Sequence, residues 1–401
     1  MRIGNWDIGD LTIGGWKRGQ IGFSERRSDG RRFAASTATR ASTITALAAI
    51  PIIILLFALP AFASRALLQE LFYVFTMLTL AQLWNLLAGS AGLISVGQQA
   101  FVGVGGYALF AFAVIVGLNP LLAIVLAGIV AGLVSIPAAV IVFRLRGAYF
   151  AIGTWVVAEV CRLVLAQVKQ LGGGTGTSLP PDVASSIFGL DFVRHLFAVR
   201  GPAARDILTY WVALALAAIT FVLVYKLLRS RYGLALSAIG DSEAAAESVG
   251  VDVYRTKFLI YGVTAVVTGL AGALIYLQRA RISPDAAFSI VDWTAYVIFI
   301  VVIGGIGTME GPIIGVAIFY LLQYYLAALG SWYLILLGAL AILLMLFAPS
   351  GVWGLFAQHF DVSLFPVRRR LTGGGAGLKE SKTGEGTNTI PNLAGDQAGL
   401  R

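Results

Sequence analysis

The sequence predicts an all-α fold, a polytopic transmembrane helical bundle of about ten spans (eight to ten), with some helices broken at glycine-rich points. Mean hydropathy is +0.85, and 58% of the 401 residues are hydrophobic while only 12% are charged. A water-soluble domain carries about twice that share of charge. Apolar runs of roughly 20 residues, long enough to cross the hydrocarbon core as helices, recur along the chain. Lys and Arg are shared unequally between the two ends of these runs, which gives the bundle an orientation.

The spans fall near residues 43–63, 67–87, 95–116, 120–143, 148–168, 206–227, 258–278, 292–307, 312–329 and 332–348. The third, eighth and ninth are short or interrupted by Gly and Pro, hence the spread in the count. Ahead of them, residues 1–42 form a basic arm with Trp6, Trp16 and Arg pairs at 26–27 and 31–32. This arm has no apolar core of the kind a cleavable signal peptide needs, and it is expected to be disordered in the cytoplasm. The membrane domain covers 43–355, and the tail 356–401, rich in Gly, Lys, Thr and Asn, is expected to be disordered as well.

With the N-terminus inside, 21 of the 29 Lys and Arg flank cytoplasmic ends, seven flank outer ends, and Arg162 alone lies within a span. Cytoplasmic flanks retain positive charge, so both termini are expected inside, with a large loop at 169–205 outside and another at 228–257 inside. The net charge of +9 then reads as membrane orientation, and no basic-aromatic cluster points to nucleic acid. Cys161 stands alone in a span, which excludes an intrachain disulfide. His195 and His359 lack metal-ligand spacing, and no nucleophile-base motif appears. The chain is therefore read as a non-enzyme that binds no metal or cofactor of its own.

The inner loop contains a short helix legible from its ends. Asp241 or Ser242 can cap it, Ala244, Ala245, Ala246 and Glu247 propagate it, and Gly250 supplies the left-handed residue that stops it. From the residues alone, this is either a solvated connector or a surface on which something docks.

Between Ala88 and Ala108 stand six glycines, at 89, 92, 97, 103, 105 and 106. Glycine gives a helix room to unwind, and broken segments often build transporter substrate sites. Ser90, Ser95, Gly97, Gln98, Gln99 and Gly103 are accordingly candidates for a substrate path. For any single glycine, close helix packing is the competing reading. Glu159 and Arg162 lie three apart on one helical face near mid-membrane, where charges must pair or face water; a structural ion pair is favoured over a gating pair. Glu310, in the break from Gly304 to Pro312, is expected near the cytoplasmic surface and solvated. Gly172 to Ser178 lacks the Gly-Lys-Ser/Thr ending of a phosphate loop, so nucleotide binding there is rejected.

The wording of these segments adds a family resemblance. Ala91-Gly-Leu-Ile-Ser-Val-Gly-Gln-Gln-Ala-Phe-Val-Gly-Val-Gly-Gly-Tyr107 resembles the corresponding segment of the branched-chain amino acid permeases, the LivM and LivH subunits of ABC importers. Arg144 to Thr154 leading to Glu159 and Arg162, the loop around Ala245, Ala246 and Gly250, and Val302 to Pro312 are similar to LivM in particular, with a weaker match at Phe347 to Gly354. Two departures stand out: Gln98 occupies a position where the family often has His, and the acidic residue expected just before the Ala-Ala pair falls one place early, at Glu243. The resemblance implies a permease subunit that pairs with a LivH-type permease. It implies two cytoplasmic ABC ATPases that use ATP, and an external binding protein that meets Lys169 to Arg205. Asp241, Ser242, Glu243, Ala245, Ala246 and Gly250 would then couple to an ATPase. A bacterial inner-membrane location and an apolar amino acid substrate follow from the same likeness. A urea or short-chain amide permease shares much of this wording. A secondary transporter acting alone would instead need Glu159 for ion coupling.

Overall fold

A computed structural model describes residues 33–36, 50–326, 330, 332–348, 350–360, 364–365 and 370–373. It is helical almost throughout. The first apolar helix, α1, is Ile50–Ala61. Ser64 caps α2, Arg65–Asn85, by accepting a hydrogen bond from the Leu67 N–H at 3.3 Å, and a wider turn, Leu86–Ser90, continues it. After a non-helical stretch, α3 runs Gln98–Phe110. Asn119 caps α4, Pro120–Val142, through the Leu121 N–H at 3.0 Å, with Pro at the first helical position where no N–H is missed. Gly147, at φ +57°, turns the chain into α5, Ala148–Ala166.

The loop beyond carries α6, Pro181–Ser185, and α7, Leu190–Phe197. The long α8, Gly201–Arg229, is followed by α9, Arg231–Asp241, and α10, Glu243–Ser248. Next come α11, Val253–Arg279, and α12, Pro284–Ala287. A turn, Val291–Ala295, then enters α13, Tyr296–Gly304. The chain ends with α14, Gly311–Leu326, α15, Trp332–Phe347, and α16, Gly351–Phe360.

Eight helical runs among the described residues are long and apolar enough to cross a membrane, while Ile50–Ala61 and Gly311–Leu326 are shorter. All ten expected spans therefore appear as apolar helices in the expected order, two of them short of a full crossing. Residues 43–49 and 327–329 of those expected spans lie outside the described residues.

At the centre stands α3, every residue of which is buried. It is packed by α11, α4 and α5, while α2 packs on α8, α11, α13 and α14. Close backbone approach makes the α3–α11 crossing. A Cβ on Gly105 would come within 2.1 Å of the Gly269 carbonyl oxygen, and one on Gly272 within 2.2 Å of the Val102 carbonyl oxygen. These glycines, with Gly103 against Phe288 and Gly106 against Tyr276, serve packing in a continuous helix. Gly89, in the wider turn, Gly92, at φ +67°, and Gly97, the residue before α3, belong instead to the break.

The connections sort into two ends of the bundle. At one end, β2, Thr177–Ser178, pairs antiparallel with β3, Arg281–Ile282, near α6 and α7. At the other end lie α9, α10, the turn Leu86–Ser90 and residues 305–310. The run Arg65–Ser90 has 26 residues, roughly 39 Å at 1.5 Å per residue, so the break after it falls at that second end and not at bilayer centre. A separate small unit joins β1, Phe33–Ser36, to β4, Arg370–Gly373, as antiparallel strands with Phe33 opposite Gly373. The remainder of the arm expected at 1–42, up to residue 49, and residues 374–401 of the tail lie outside the described residues.

Candidate functional site

The short helix of the inner loop is built by its ends, as the sequence implies. Ser242, extended at φ −166°, ends α9 and caps α10, its Oγ accepting from the Ala245 N–H at 3.3 Å. Gly250 takes φ +86°, its N–H bonds to Glu247 O at 3.0 Å, and the Val251 N–H closes onto Ala246 O at 3.0 Å. That closure satisfies carbonyls the helix end would leave bare. Glu243 is tied to Lys257 at 2.5 Å, and Asp252 caps α11 through the Arg255 N–H at 2.9 Å.

The Ala-Ala pair is divided. Ala246 is 2% exposed and packs with Ile239 and Val253, whereas Ala245, Asp241 and Gly250 face outward with Val249 at 75%. The sequence alone assigned both alanines to ATPase coupling and did not reveal α9. Through α9 the loop reaches into the bundle: Leu236 joins the main core, and α9 lies against the turn Leu86–Ser90.

That turn is bonded in turn to the second glycine-rich break. Asn85 Nδ2 donates to Thr308 O at 2.7 Å, its Oδ1 accepts from the Gly307 N–H at 2.7 Å, and Gln82 Nε2 donates to Met309 O at 2.8 Å. A Cβ on Gly89 would meet Gly307 Cα at 2.6 Å. The two breaks therefore fit against each other, held by Gln82 and Asn85, which sequence reading missed because their partners are remote in the chain.

The expected path residues are mostly committed to internal bonds. Ser95, Gly97, Gln98, Gln99 and Gly103 are buried and Ser90 is half-buried. Ser95 O accepts from Trp84 Nε1 at 2.8 Å, and Gln98 Nε2 donates to Leu80 O at 3.0 Å. Thr294 Oγ1 accepts from the Gln99 N–H at 3.3 Å and donates to Gln99 Oε1. The Val96 N–H bonds to Thr154 Oγ1 at 3.0 Å, and a Cβ on Gly97 would strike Thr154 O at 2.2 Å. In this conformation the segment is a packed plug between α2, α5 and the turn before α13.

Glu159 and Arg162 are paired at 2.6 Å, and Arg162 Nη1 also reaches Asp285 at 2.9 Å. Asp285 lies on α12, just past β3, so the group sits toward the β2–β3 end, displaced from the mid-membrane depth expected. Glu310 is also corrected. It is 6% exposed, and its Oε1 accepts the N–H groups of Leu364 and Phe365 at 3.0 and 2.8 Å, with Phe365 packed on Phe221. The returning chain after α16 covers it and removes it from solvent.

At the opposite end Gly176, at φ +79°, brings the loop onto β3, where a Cβ would meet Ile282 O at 2.1 Å. This close approach accounts for Gly176 without phosphate binding. Beyond it Phe188, Phe192 and Leu196 are 77%, 66% and 58% exposed.

An apolar helical bundle with two interlocked breaks, and an amphipathic helical loop packed against one of them, defines a multi-pass membrane permease component. A model of the family described as branched-chain amino acid transport system / permease component matches residues 66–346, and the chain belongs to that family. It is 29% identical over 281 residues to the LivM permease protein of Salmonella typhimurium, and 28% identical over 281 residues to that of Escherichia coli. Each alignment covers 67% of this chain and 65% of the relative. A LivM permease protein of Methanocaldococcus jannaschii is 25% identical over 63% of this chain and 77% of its own. No solved structure matches the chain.

Proposed function

We propose that the chain is a transmembrane permease subunit of an ATP-driven ABC importer for branched-chain or other apolar amino acids. In this reading it sits in a bacterial cytoplasmic membrane with both termini inside and pairs with a LivH-type permease. Two ABC ATPases hydrolyse the ATP, and an external binding protein delivers substrate to the α6–α7 side. The LivM relatives are named for high-affinity branched-chain amino acid transport, which supports the substrate class.

One observation carries the reading. An exposed two-turn helix, α10, is backed by α9, and α9 lies against the turn that is bonded to the second break. Motion of an ATPase against α10 would reach Asn85, Gly307 and the plug without crossing a flexible linker. A rigid packed contact transmits displacement because interiors are close-packed and poorly compressible.

Replacing Gly250 tests the coupling. Its φ of +86° is unsuited to a β-branched residue although no neighbour crowds it, so Gly250→Ile should spoil the end of α10 while sparing the bundle. Cells making this variant at normal levels are expected to lose leucine uptake. Full uptake would sink the coupling assignment.

A further inference from the structure

At the end of the bundle that carries β2 and β3, helices α2 and α11 and the turn before α13 enclose a crevice of about 240 Å³. That is room for a small metabolite. Its floor is apolar, formed by the buried Phe72, Ile275 and Trp293. At its mouth Gln69 and Gln278 are fixed by one carboxylate. Asp206, 2% exposed, accepts from Gln69 Nε2 at 2.9 Å and from Gln278 Nε2 at 2.8 Å, and it also pairs with Arg65.

Arg279 stands at the rim with its guanidinium over the Trp293 ring at 4.9 Å and over Tyr276 at 5.9 Å. Among the described residues it has no acidic partner. A guanidinium held over a ring keeps N–H donors in a planar fork, the geometry that receives a carboxylate. Asp292, half-buried, directly precedes the lining residue Trp293 on the same turn.

The geometry points to a binding site within this one subunit for a zwitterionic amino acid with an aliphatic side chain. Its carboxylate sits on Arg279, its side chain on Phe72, Ile275 and Trp293, and its ammonium toward Asp292. An uncharged amide such as urea meets neither charge and leaves the apolar floor empty, so the site discriminates against it. This inference rests on the importer reading and adds where in the subunit the substrate is first held.

The test uses the whole importer in vesicles: both permeases, the ATPases and the loaded binding protein. Losing a charge-assisted bond should cut leucine uptake by Arg279→Gln roughly 10–100-fold, with Arg279→Lys partly restoring it and Arg281→Gln, on β3, close to the unsubstituted rate. In a second arm Arg279 stays intact, so it decides the matter even if the first variant fails to assemble. A Gln69→Cys thiol in a Cys161→Ser background should react several-fold more slowly with an impermeant maleimide in saturating leucine, and at an unchanged rate in urea. Normal uptake by Arg279→Gln, or no protection by leucine, overturns the site and leaves the importer reading standing. Absence of ATP-driven leucine uptake by the unsubstituted importer overturns both.

Discussion

A single methyl group separates a tolerated glycine from an indispensable one in this bundle. An alanine at Gly272 would place its Cβ 2.2 Å from a backbone carbonyl oxygen on α3, whereas nothing lies within 4 Å of a Cβ at Gly338. Backbone cannot rotate aside as a side chain can, so α3 and α11 would have to separate along a buried crossing. Gly272→Ala is expected to yield little monodisperse protein, and Gly338→Ala near-normal amounts, by size-exclusion chromatography in detergent. Equal yields would contradict the close-packed crossing. The residues legible in the sequence were those whose role is local: Ser242 and Gly250 act on backbone within a few positions. Asp206, Asn85 and Asp285 were not legible, because each takes its meaning from a helix far away in the chain.

At the scale of elements, hydrophobic run length located the apolar helices well because a bilayer sets that length. It could not divide the glycines of 89–106 between break and packing, since both uses want the same residue. Nor did it reveal α9, whose Leu236 and Ile239 bury an amphipathic face within a loop otherwise read as polar. The two ends of the bundle give a direct test of direction. Thr175 lies in the β2 loop and Ser248 on α10, at opposite ends. Cysteines placed there singly in a Cys161→Ser background should differ in intact cells: Thr175→Cys reacts with an impermeant thiol reagent and Ser248→Cys does not. The reverse pattern would put α10 outside, beyond the reach of any ATPase.

For the whole molecule, the family and the class of device were legible from wording spread over most of the membrane domain, and residues 66–346 match the family. The path was less legible. Ser95, Gln98 and Gln99, singled out for it, are bonded inside a plug, while the crevice at the other end is made from residues of α2, α11 and the turn at Trp293. Such a site is assembled only when helices remote in sequence are brought side by side. The same view of the molecule argues against solitary transport. Glu159, the carboxylate that ion coupling would need, is already paired with Arg162, which also binds Asp285, and a paired carboxylate is poorly suited to carry an ion across. In the importer reading proposed above, energy enters instead through α10. The decisive measurement is labelled-leucine uptake by vesicles holding this chain alone under a proton or sodium gradient, set against vesicles holding it with its partner permease, both ATPases, ATP and the binding protein. Uptake is predicted only in the complete, ATP-fuelled set; gradient-driven uptake by the chain alone would contradict the account, and ATP-driven uptake of urea but not leucine would contradict its substrate.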